Sequence, residues 1–368
     1  MSLRVALVDH ASAHDRLRAL AAALPRDWIV LDGLSPAEAI EQAEVGGLDA
    51  VVCGADPGPM DGATLLQRVQ QVHPEALRIL ALPADIDPRL GERLAAHPAV
   101  QQVLPAPYEA TAVRAAARRL LMVRSLLRDA ALRAELGRID RLPGSPATYL
   151  GLRMVMADDG ADLEEAVVAL KRDPALAARV LRMANSALYT RGRPINSLDQ
   201  AVARLGLQTI LQLVLAGEVF ARLPGAEAVR AETLGLRAAQ LAARIAPTPR
   251  EAALAGSAAV LADLGALLPG SVLNAPPYPG ELWQGAPRVA LLGAGLMALW
   301  GLPVEMVEAV AYHHHPGRLP GRGLDVVGTL HLARALVGAI ELDADWVEEA
   351  GLAPRLEGWR ELAASLPA

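Results

Sequence analysis

The side chains best suited to ligand binding or catalysis lie near the C-terminal end of this 368-residue chain. His313, His314 and His315 are consecutive, and no other histidine stands between them and His97. Successive side chains on a helix point about 100° apart, so three adjacent imidazoles could share a ligand only where a helix ends. Pro316, which follows directly, indicates such an end. Three interpretations stay open: imidazoles at the negative end of a helix dipole, a ligand- or partner-facing patch, and a metal site.

Other reactive side chains are scarce. Cys53 is the only cysteine and Lys171 the only lysine, so an internal disulfide is excluded and nearly all basic side chains are arginines. A lone cysteine fits a reducing compartment, and we expect a cytoplasmic protein. The net charge of −6 argues against a nucleic-acid partner. No uncharged run reaches the roughly 20 residues that a membrane-spanning helix needs, so we expect no membrane insertion.

Short apolar runs alternate with helical patterns over the first 120 or so residues. Arg4–Val8, Asp49–Cys53 and Arg78–Leu82 are such runs and predict buried strands. The alternation predicts an α/β fold with a doubly wound parallel sheet of about five strands. A long arginine-rich helical pattern follows over Ala112–Asp140. We interpret it as a dimer-forming or domain-coupling helix, as a surface for an anionic partner, or as a solvated connector.

From Arg141 onward the sequence predicts successive helices and therefore an all-α bundle. Ser197 followed by Gln200 marks one helix start, and strongly apolar helices are predicted at segments such as Thr209–Leu223 and Glu232–Ile245. A C-terminal tail is predicted to form one or two short helices that pack back on the bundle. The predicted organisation is a sheet domain at 1–122, a helical linker at 123–140, a helical domain at 141–340 and a tail at 341–368.

Four motifs of the first domain resemble the receiver domain of bacterial response regulators. They are VALVDH, LDAVVCGADPGPMDG, HPEALRIL and VLPAPYEATAVRAAARRL, and they occur in the order and spacing of that family over residues 3–122. The resemblance implies a flavodoxin-like sheet. It also implies a phosphorylation site in which an acidic pair holds Mg²⁺, an aspartate accepts phosphate, and a hydroxyl and a lysine contact the phosphoryl group.

This chain lacks those groups at the matching positions. Gly54 falls at the acceptor position, Leu82 at the hydroxyl position and Ala106 at the lysine position. Asp9, followed by a histidine, stands where the acidic pair would be. The resemblance therefore implies a pseudo-receiver that cannot be phosphorylated. Asp56, two residues further into the loop, is the alternative acceptor.

Three segments of the helical part closely resemble the HDOD domain, a helical relative of the HD phosphohydrolases, over residues 139–340. They are RLPGSPATYLGL, KRDPALAARVLRMANSALYTRGRPINSLDQAVARLG and LWGLPVEMVEAVAYHHHP. An HD hydrolase holds one or two divalent metals on histidine and aspartate side chains, and the metals activate water. The polar side chains around Asn196 and Ser197 are expected to be structural, with recognition of an extended partner segment as the alternative.

The resemblance implies that the metal ligands of an HD hydrolase have been lost. Where those enzymes have adjacent histidine and aspartate residues, this chain has Ala262-Asp263. The late aspartate is replaced by Arg334, which would put a positive charge where a metal should lie. Only Asp263, His313 and His314 remain as potential ligands. We therefore expect no metal, no cofactor and no enzymatic activity.

These expectations favour a non-catalytic signalling adaptor, in which the pseudo-receiver is coupled to an HDOD module that binds signalling proteins. A histidine kinase, a receiver or a cyclic-dinucleotide enzyme is the expected kind of partner, and a homodimer is an open alternative. The second hypothesis is a module that binds a cyclic dinucleotide or other small ligand through Asp263, His313, His314 and Arg318 or Arg322. The third, a metal-dependent phosphohydrolase, lacks its ligands.

Overall fold

The structure is a computed structural model with two compact units, a sheet unit built around residues 1–140 and a helical unit that holds most of the remainder. The residues that it describes do not include Arg322 or the predicted helix Thr209–Leu223. The described residues are 2–10, 14–95, 97–127, 130–139, 163–171, 174–185, 195–205, 226–268, 287–319 and 323–366.

The sheet unit contains five parallel strands in the order β2-β1-β3-β4-β5. This order is the flavodoxin-like doubly wound arrangement, so the α/β prediction is confirmed. Strands β1, β3 and β4 are mostly apolar and almost wholly buried, as expected for a parallel sheet covered on both faces. The strands are β1 (Arg4–Val8), β2 (Ile29–Asp32), β3 (Ala50–Gly54), β4 (Leu77–Leu82) and β5 (Gln102–Pro105).

Helices connect successive strands, and polar side chains fix where two of them begin. Ser35 and Glu38 form a capping box at the start of α2, and Asp61 accepts a hydrogen bond from the backbone of Thr64 at the start of α3. Each cap satisfies backbone N–H groups that have no partner within the helix. The helices are α1 (His14–Ala23), α2 (Pro36–Glu44), α3 (Gly62–Val72), α4 (Pro88–Ala95) and α5 (Ala110–Leu126).

The arginine-rich segment after the sheet domain is two helices rather than one long helix. Helix α5 ends at Leu126, and α6 spans Ala130–Gly137. The side chain of Arg133 donates both to the carbonyl of Leu127 and to the carboxylate of Glu75, the latter at 2.8 Å. Because Leu127 and the apolar face of α6 are buried, this part of the predicted linker packs onto the sheet unit instead of forming a solvated connector.

A buried arginine secures the end of α6. Arg78 on β4 is 1% exposed, and its guanidinium donates to the carbonyls of Pro74, Ala76 and Ala99 and, at 2.9 Å, to that of Gly137. A Cβ atom on Gly137 would lie 2.0 Å from the Pro74 carbonyl oxygen. Only glycine therefore allows α6 to approach the sheet this closely.

The helical unit confirms the all-α prediction, because its described residues form helices and short 3₁₀ turns. The helices are α7 (Leu163–Lys171), α8 (Pro174–Ala184), α9 (Leu198–Leu205), α10 (Ala226–Ile245), α11 (Pro249–Leu261), α12 (Arg288–Leu299), α13 (Val304–Tyr312), α14 (Val326–Leu336), α15 (Ala344–Glu349) and α16 (Leu356–Ala364). Helices α10, α11, α13 and α14 pack on one another. Helices α7, α8 and α9 form a second group, which contacts the first where α8 packs on α11.

Two features of the helical unit match the sequence patterns closely. The hydroxyl of Ser197 accepts from the backbone N–H of Gln200, as expected at the start of α9. The C-terminal helices α15 and α16 pack on the bundle through Trp346 and Trp359, which are 3% and 5% exposed. Over the described residues, every helix is too short or too polar to cross a bilayer.

Candidate functional site

The four receiver-like positions lie at one edge of the sheet. Asp9 directly follows β1, Gly54 ends β3, Leu82 ends β4, and Ala106 follows β5. All the strands are parallel, so these are the carboxyl ends, where doubly wound sheets place their sites. The fold therefore brings the predicted positions together, although the side chains present there differ from those of a phosphorylation site.

Asp9 occupies the space that an acceptor side chain at position 54 would need. A Cβ atom on Gly54 would lie 2.2 Å from Oδ1 of Asp9 and 2.7 Å from its Cγ. Oδ1 of Asp9 also accepts a hydrogen bond from the backbone N–H of His10 at 2.9 Å. The carboxylate of the first strand thus fills the volume beside β3. Asp61, seven residues after Gly54, is committed to capping α3.

The only cysteine lies under this edge but is unsuited to chemistry. Cys53 is fully buried, and its thiol donates to the carbonyl of Gly62 at 3.3 Å. Burial, together with the nearby charges of Asp9 and Asp61, raises the pKa of the Cys53 thiol. A thiol that stays protonated is a poor nucleophile and a poor metal ligand, so Cys53 acts as a core residue.

In the helical unit, the aspartate that remains from the HD pattern is paired with an arginine. Nη1 of Arg334 donates to Oδ2 of Asp263 at 3.0 Å, and Nη2 donates to Oδ1 at 2.9 Å. This bidentate geometry gives the strongest form of ion pair between a guanidinium and a carboxylate. The side chain of Arg334 is 4% exposed and that of Asp263 is 29% exposed, so the pair lies partly out of water.

The pair joins elements that are distant in sequence. Asp263 lies two residues after the end of α11 and directly precedes the 3₁₀ turn Leu264–Leu267, but its side chain makes no capping bond there. Arg334 lies near the end of α14, a helix whose other buried residues are mostly apolar. The carboxylate of Asp263 is therefore committed to Arg334 rather than to its own turn.

Two imidazoles lie close to this ion pair and are kept neutral. Burial lowers the pKa of His313 well below its usual value, and the Arg334 charge lowers it further. Burial, again followed by Arg334, lowers the pKa of His314 to about 4. Nδ1 of His313 donates to the carbonyl of Val310 at 2.9 Å, and Nε2 makes no hydrogen bond with the described residues. The rings of His313 and His314 lie 4.3 Å apart.

His331 has a structural role that the sequence patterns do not reveal. It is completely buried; Nδ1 donates to the carbonyl of His313 at 2.7 Å, and Nε2 accepts from the backbone N–H of Asp343 at 3.0 Å. These bonds require the neutral tautomer with a proton on Nδ1. The ring of Trp346 contacts His331 edge-on and lies against Gly328, where a Cβ would come within 2.7 Å of it. His331 therefore connects α13 to the C-terminal helices.

These side chains do not fit the divalent metals of an HD hydrolase. Within the described part of the chain, no group of three or more histidine, cysteine or acidic residues could hold a metal ion. Asp263 is already neutralised by Arg334, and both ring nitrogens of His331 are engaged. A divalent ion would also have to approach the buried charge of Arg334.

The structure brings three of the predicted patch residues of the helical unit together. Asp263, His313 and His314 lie close together around Arg334, whereas Arg318 is exposed in the 3₁₀ turn Pro316–Arg318. Helix α13 ends at Tyr312, so the three consecutive histidines follow a helix end, as their sequence context indicates. An arginine in a mostly apolar helix is the sequence signal that marks the ion pair.

Comparison with known proteins identifies a segment of the helical part of the chain. Residues 142–276 match the HDOD domain, so the protein contains an HDOD domain, as its sequence predicts. An uncharacterized protein of Treponema pallidum (strain Nichols) is 23% identical over 220 residues, which cover 54% of this chain and 43% of that protein. The match thus spans less than half of the relative's length.

Several solved structures are similar to parts of the chain. The MmoQ response regulator of Methylococcus capsulatus is 22% identical with a TM-score of 0.44, covering 61% of this chain and 94% of that one. A virulence factor of Campylobacter jejuni is 17% identical with a TM-score of 0.48, covering 64% and 96%. A putative phosphohydrolase of Shewanella amazonensis is 28% identical with a TM-score of 0.30, covering 64% and 93%.

Proposed function

We propose that the protein is a non-catalytic signalling adaptor, in which a receiver-like domain that accepts no phosphoryl group is joined to an HDOD module that binds other signalling proteins. The observation that carries this proposal is the ion pair between Asp263 and Arg334. It uses the one carboxylate of the cluster that could hold a metal, and it places a fixed positive charge beside His313 and His314. Hydrolysis that depends on a bound metal has no support in this arrangement.

The carboxyl edge of the sheet supports the same proposal. Phosphoryl transfer to a receiver needs a carboxylate at the acceptor position, but Gly54 provides none and Asp9 fills the space beside it. Leu82 and Ala106 offer neither a hydroxyl nor an ammonium group to a phosphoryl oxygen. A domain of this kind would act through its surface, so a histidine kinase, another receiver or a cyclic-dinucleotide enzyme is the partner class that we propose. A homodimer is a further form that such an adaptor could take.

The proposal is tested by looking for both reactions in the tag-free full chain. Incubation with acetyl phosphate and Mg²⁺, followed by intact-mass measurement, is expected to show no added phosphoryl group. Incubation with Mn²⁺ and either bis(p-nitrophenyl) phosphate or a cyclic dinucleotide is expected to give no turnover. Asp56→Asn and Asp263→Asn are the matched controls. Phosphorylation that Asp56→Asn abolishes, or hydrolysis that Asp263→Asn abolishes, would refute the proposal.

Ligand binding without catalysis is distinguished by thermal shift. A ligand that binds only the native state at about 100 times its Kd stabilises it by roughly 2.7 kcal/mol, which a melting curve resolves readily. A saturable shift with a cyclic dinucleotide that Arg318→Gln or His314→Gln weakens would replace the adaptor proposal with a ligand-sensing one. We expect no shift with any member of such a panel.

A further inference from the structure

We infer that Arg334 is a built-in cation that takes the place of a divalent metal in the helical unit. It neutralises Asp263 and bars metal from a donor set that Asp263 and His313 would otherwise offer. This inference rests on the proposed absence of metal-dependent catalysis and names the group responsible. It makes the helical unit independent of metal supply.

The first argument is the arrangement of the pair. A metal ion in a helical bundle holds side chains from several helices in one place by neutralising their charges. Arg334 does this for Asp263, since both carboxylate oxygens accept a guanidinium N–H at 3.0 Å or less. The arginine is 4% exposed and reaches from α14 to the end of α11. A charge so deeply buried is stable only with a partner of opposite sign.

The second argument concerns donor atoms left unused. His313 is 1% exposed, and because its Nδ1 carries the proton that bonds Val310, its Nε2 holds a free lone pair. That nitrogen makes no hydrogen bond with the described residues. A free imidazole nitrogen and a carboxylate beside the same buried charge are ligands that zinc and manganese accept. The positive charge of Arg334 opposes any such binding.

The inference predicts that replacing Arg334 by a carboxylate turns the cluster into a metal site. Arg334→Asp removes the cation from Asp263 and adds a second carboxylate on α14, while His313 keeps an Nε2 without a hydrogen bond to the described residues and His314 lies near Asp263. Two carboxylates in a partly buried site repel each other without a cation, so the variant should gain stability from metal binding. The wild-type protein, which already contains its cation, should not.

The test is metal binding by the tag-free full chain, measured by calorimetry with Mn²⁺ and Zn²⁺ and by melting curves with and without chelator. Wild type is expected to bind neither ion and to melt at the same temperature in both conditions. Arg334→Asp is expected to bind about one ion per chain and to melt higher with metal. Asp263→Asn/Arg334→Asp, which lacks one ligand, is the matched control and should lose about tenfold or more of the affinity.

A charge-swapped protein separates the effect of the cation from that of the new carboxylate. Asp263→Arg/Arg334→Asp keeps one positive and one negative group, so it should bind no metal. The inference fails if wild type or the charge-swapped protein binds metal as tightly as Arg334→Asp. It also fails if Arg334→Asp, folded or refolded with either ion, is not stabilised by metal. Turnover by wild type would instead refute the proposed function, so the two failures are distinguishable.

Discussion

At the scale of single residues, the carboxyl edge of the sheet depends on two glycines that resist substitution for different reasons. A Cβ on Gly54 meets the side chain of Asp9, which can rotate away, whereas a Cβ on Gly62 would lie 2.1 Å from the carbonyl oxygen of Gly54. Backbone at the end of a buried strand cannot move without disturbing the sheet. The space beside Gly54 is therefore filled by a side chain that can move, whereas the space beside Gly62 is closed by backbone that cannot.

We expect Gly54→Ala to lower the free energy of unfolding by about 1 kcal/mol and Gly62→Ala by about 3 kcal/mol, as overpacked sites do. Adding Asp9→Ala should relieve most of the cost at Gly54, because the clash is with its carboxylate, and none of the cost at Gly62. Urea unfolding of the four variants measures this. Equal rescue of both glycine variants by Asp9→Ala would show that Asp9 does not occupy the acceptor space.

The ion pair of the helical unit is a second feature that single substitutions test. Removing one partner of a buried pair costs about 3–5 kcal/mol, and the partial exposure of Asp263 puts our expectation for Arg334→Met near 3 kcal/mol. Asp263→Asn/Arg334→Met should be less destabilised than Arg334→Met, because it leaves no unpaired charge. The measurement is the urea midpoint of each variant in a double-mutant cycle.

The surface offers a matched control for this prediction. Arg250 and Glu305 form an ion pair at 2.6 Å, but their side chains are 59% and 41% exposed. Arg250→Met should cost less than about 1 kcal/mol, because water screens an exposed pair. If Arg250→Met and Arg334→Met were equally destabilising, burial would not set the strength of the Asp263 pair.

At the scale of elements, α6 illustrates what local sequence does not encode. The apolar spacing of Leu126, Leu127 and Leu132 predicts one continuous helix. Instead the backbone at Leu127 is extended, with φ of −120° and ψ of 94°, and the chain turns so that all three leucines are buried. Tertiary contacts therefore override the helical preference of the local sequence. They provide hydrogen-bond partners for backbone groups that a continuous helix would pair within itself.

We expect Gly137→Ala to destabilise the sheet unit by about 2 kcal/mol or more, since the new methyl group would strike the Pro74 carbonyl. Hydrogen exchange in α6 should accelerate more than in the strands. Gly358→Ala in α16 is the control: a Cβ there meets no atom within 4 Å, so the helix should gain about 0.5–1 kcal/mol. Unchanged exchange in α6 after Gly137→Ala would contradict this account of its docking.

The sequence predicts the parts of this protein that local patterns control. Apolar runs locate the strands, the change of period after the sheet domain locates the helical bundle, and Ser197 correctly marks a helix start. The pair between Asp263 and Arg334 is different, because its members are 71 residues apart in sequence. Because Arg334 replaces an expected aspartate, the sequence indicates an unexpected positive charge at this position. Only the packing of α14 against α11 shows which carboxylate neutralises that charge. The bonds of His331 have the same non-local origin.

At the scale of the whole molecule, each unit places a charged side chain where the sequence resemblance implies a reactive group. In the sheet unit a carboxylate from β1 fills the space beside β3, and in the helical unit a guanidinium from α14 binds the carboxylate after α11. Under the proposed function, these side chains stand in place of a phosphoryl acceptor in the sheet unit and of a metal in the helical unit.

The buried histidines give the helical unit an acid sensitivity of predictable sign. Burial and the Arg334 charge lower the pKa of His314 to about 4 and that of His313 well below its usual value, and burial also lowers that of His331. In the unfolded chain these groups titrate near 6.5. Between about pH 6.5 and pH 4 the unfolded chain therefore binds more protons, so stability should fall as pH falls and level off above about pH 7.

Urea unfolding at pH 8, 7, 6 and 5, followed by tryptophan fluorescence, tests this expectation, because Trp346 contacts His331. His314→Gln should flatten the fall between pH 6 and pH 5, since the variant has one fewer group that must be protonated on unfolding. His331→Gln should lower stability at every pH, because the bonds to His313 and Asp343 are lost together with the titration. A stability that stays constant from pH 8 to pH 5 would mean that these imidazoles are accessible to protons in the folded protein, and that Arg334 does not hold them neutral.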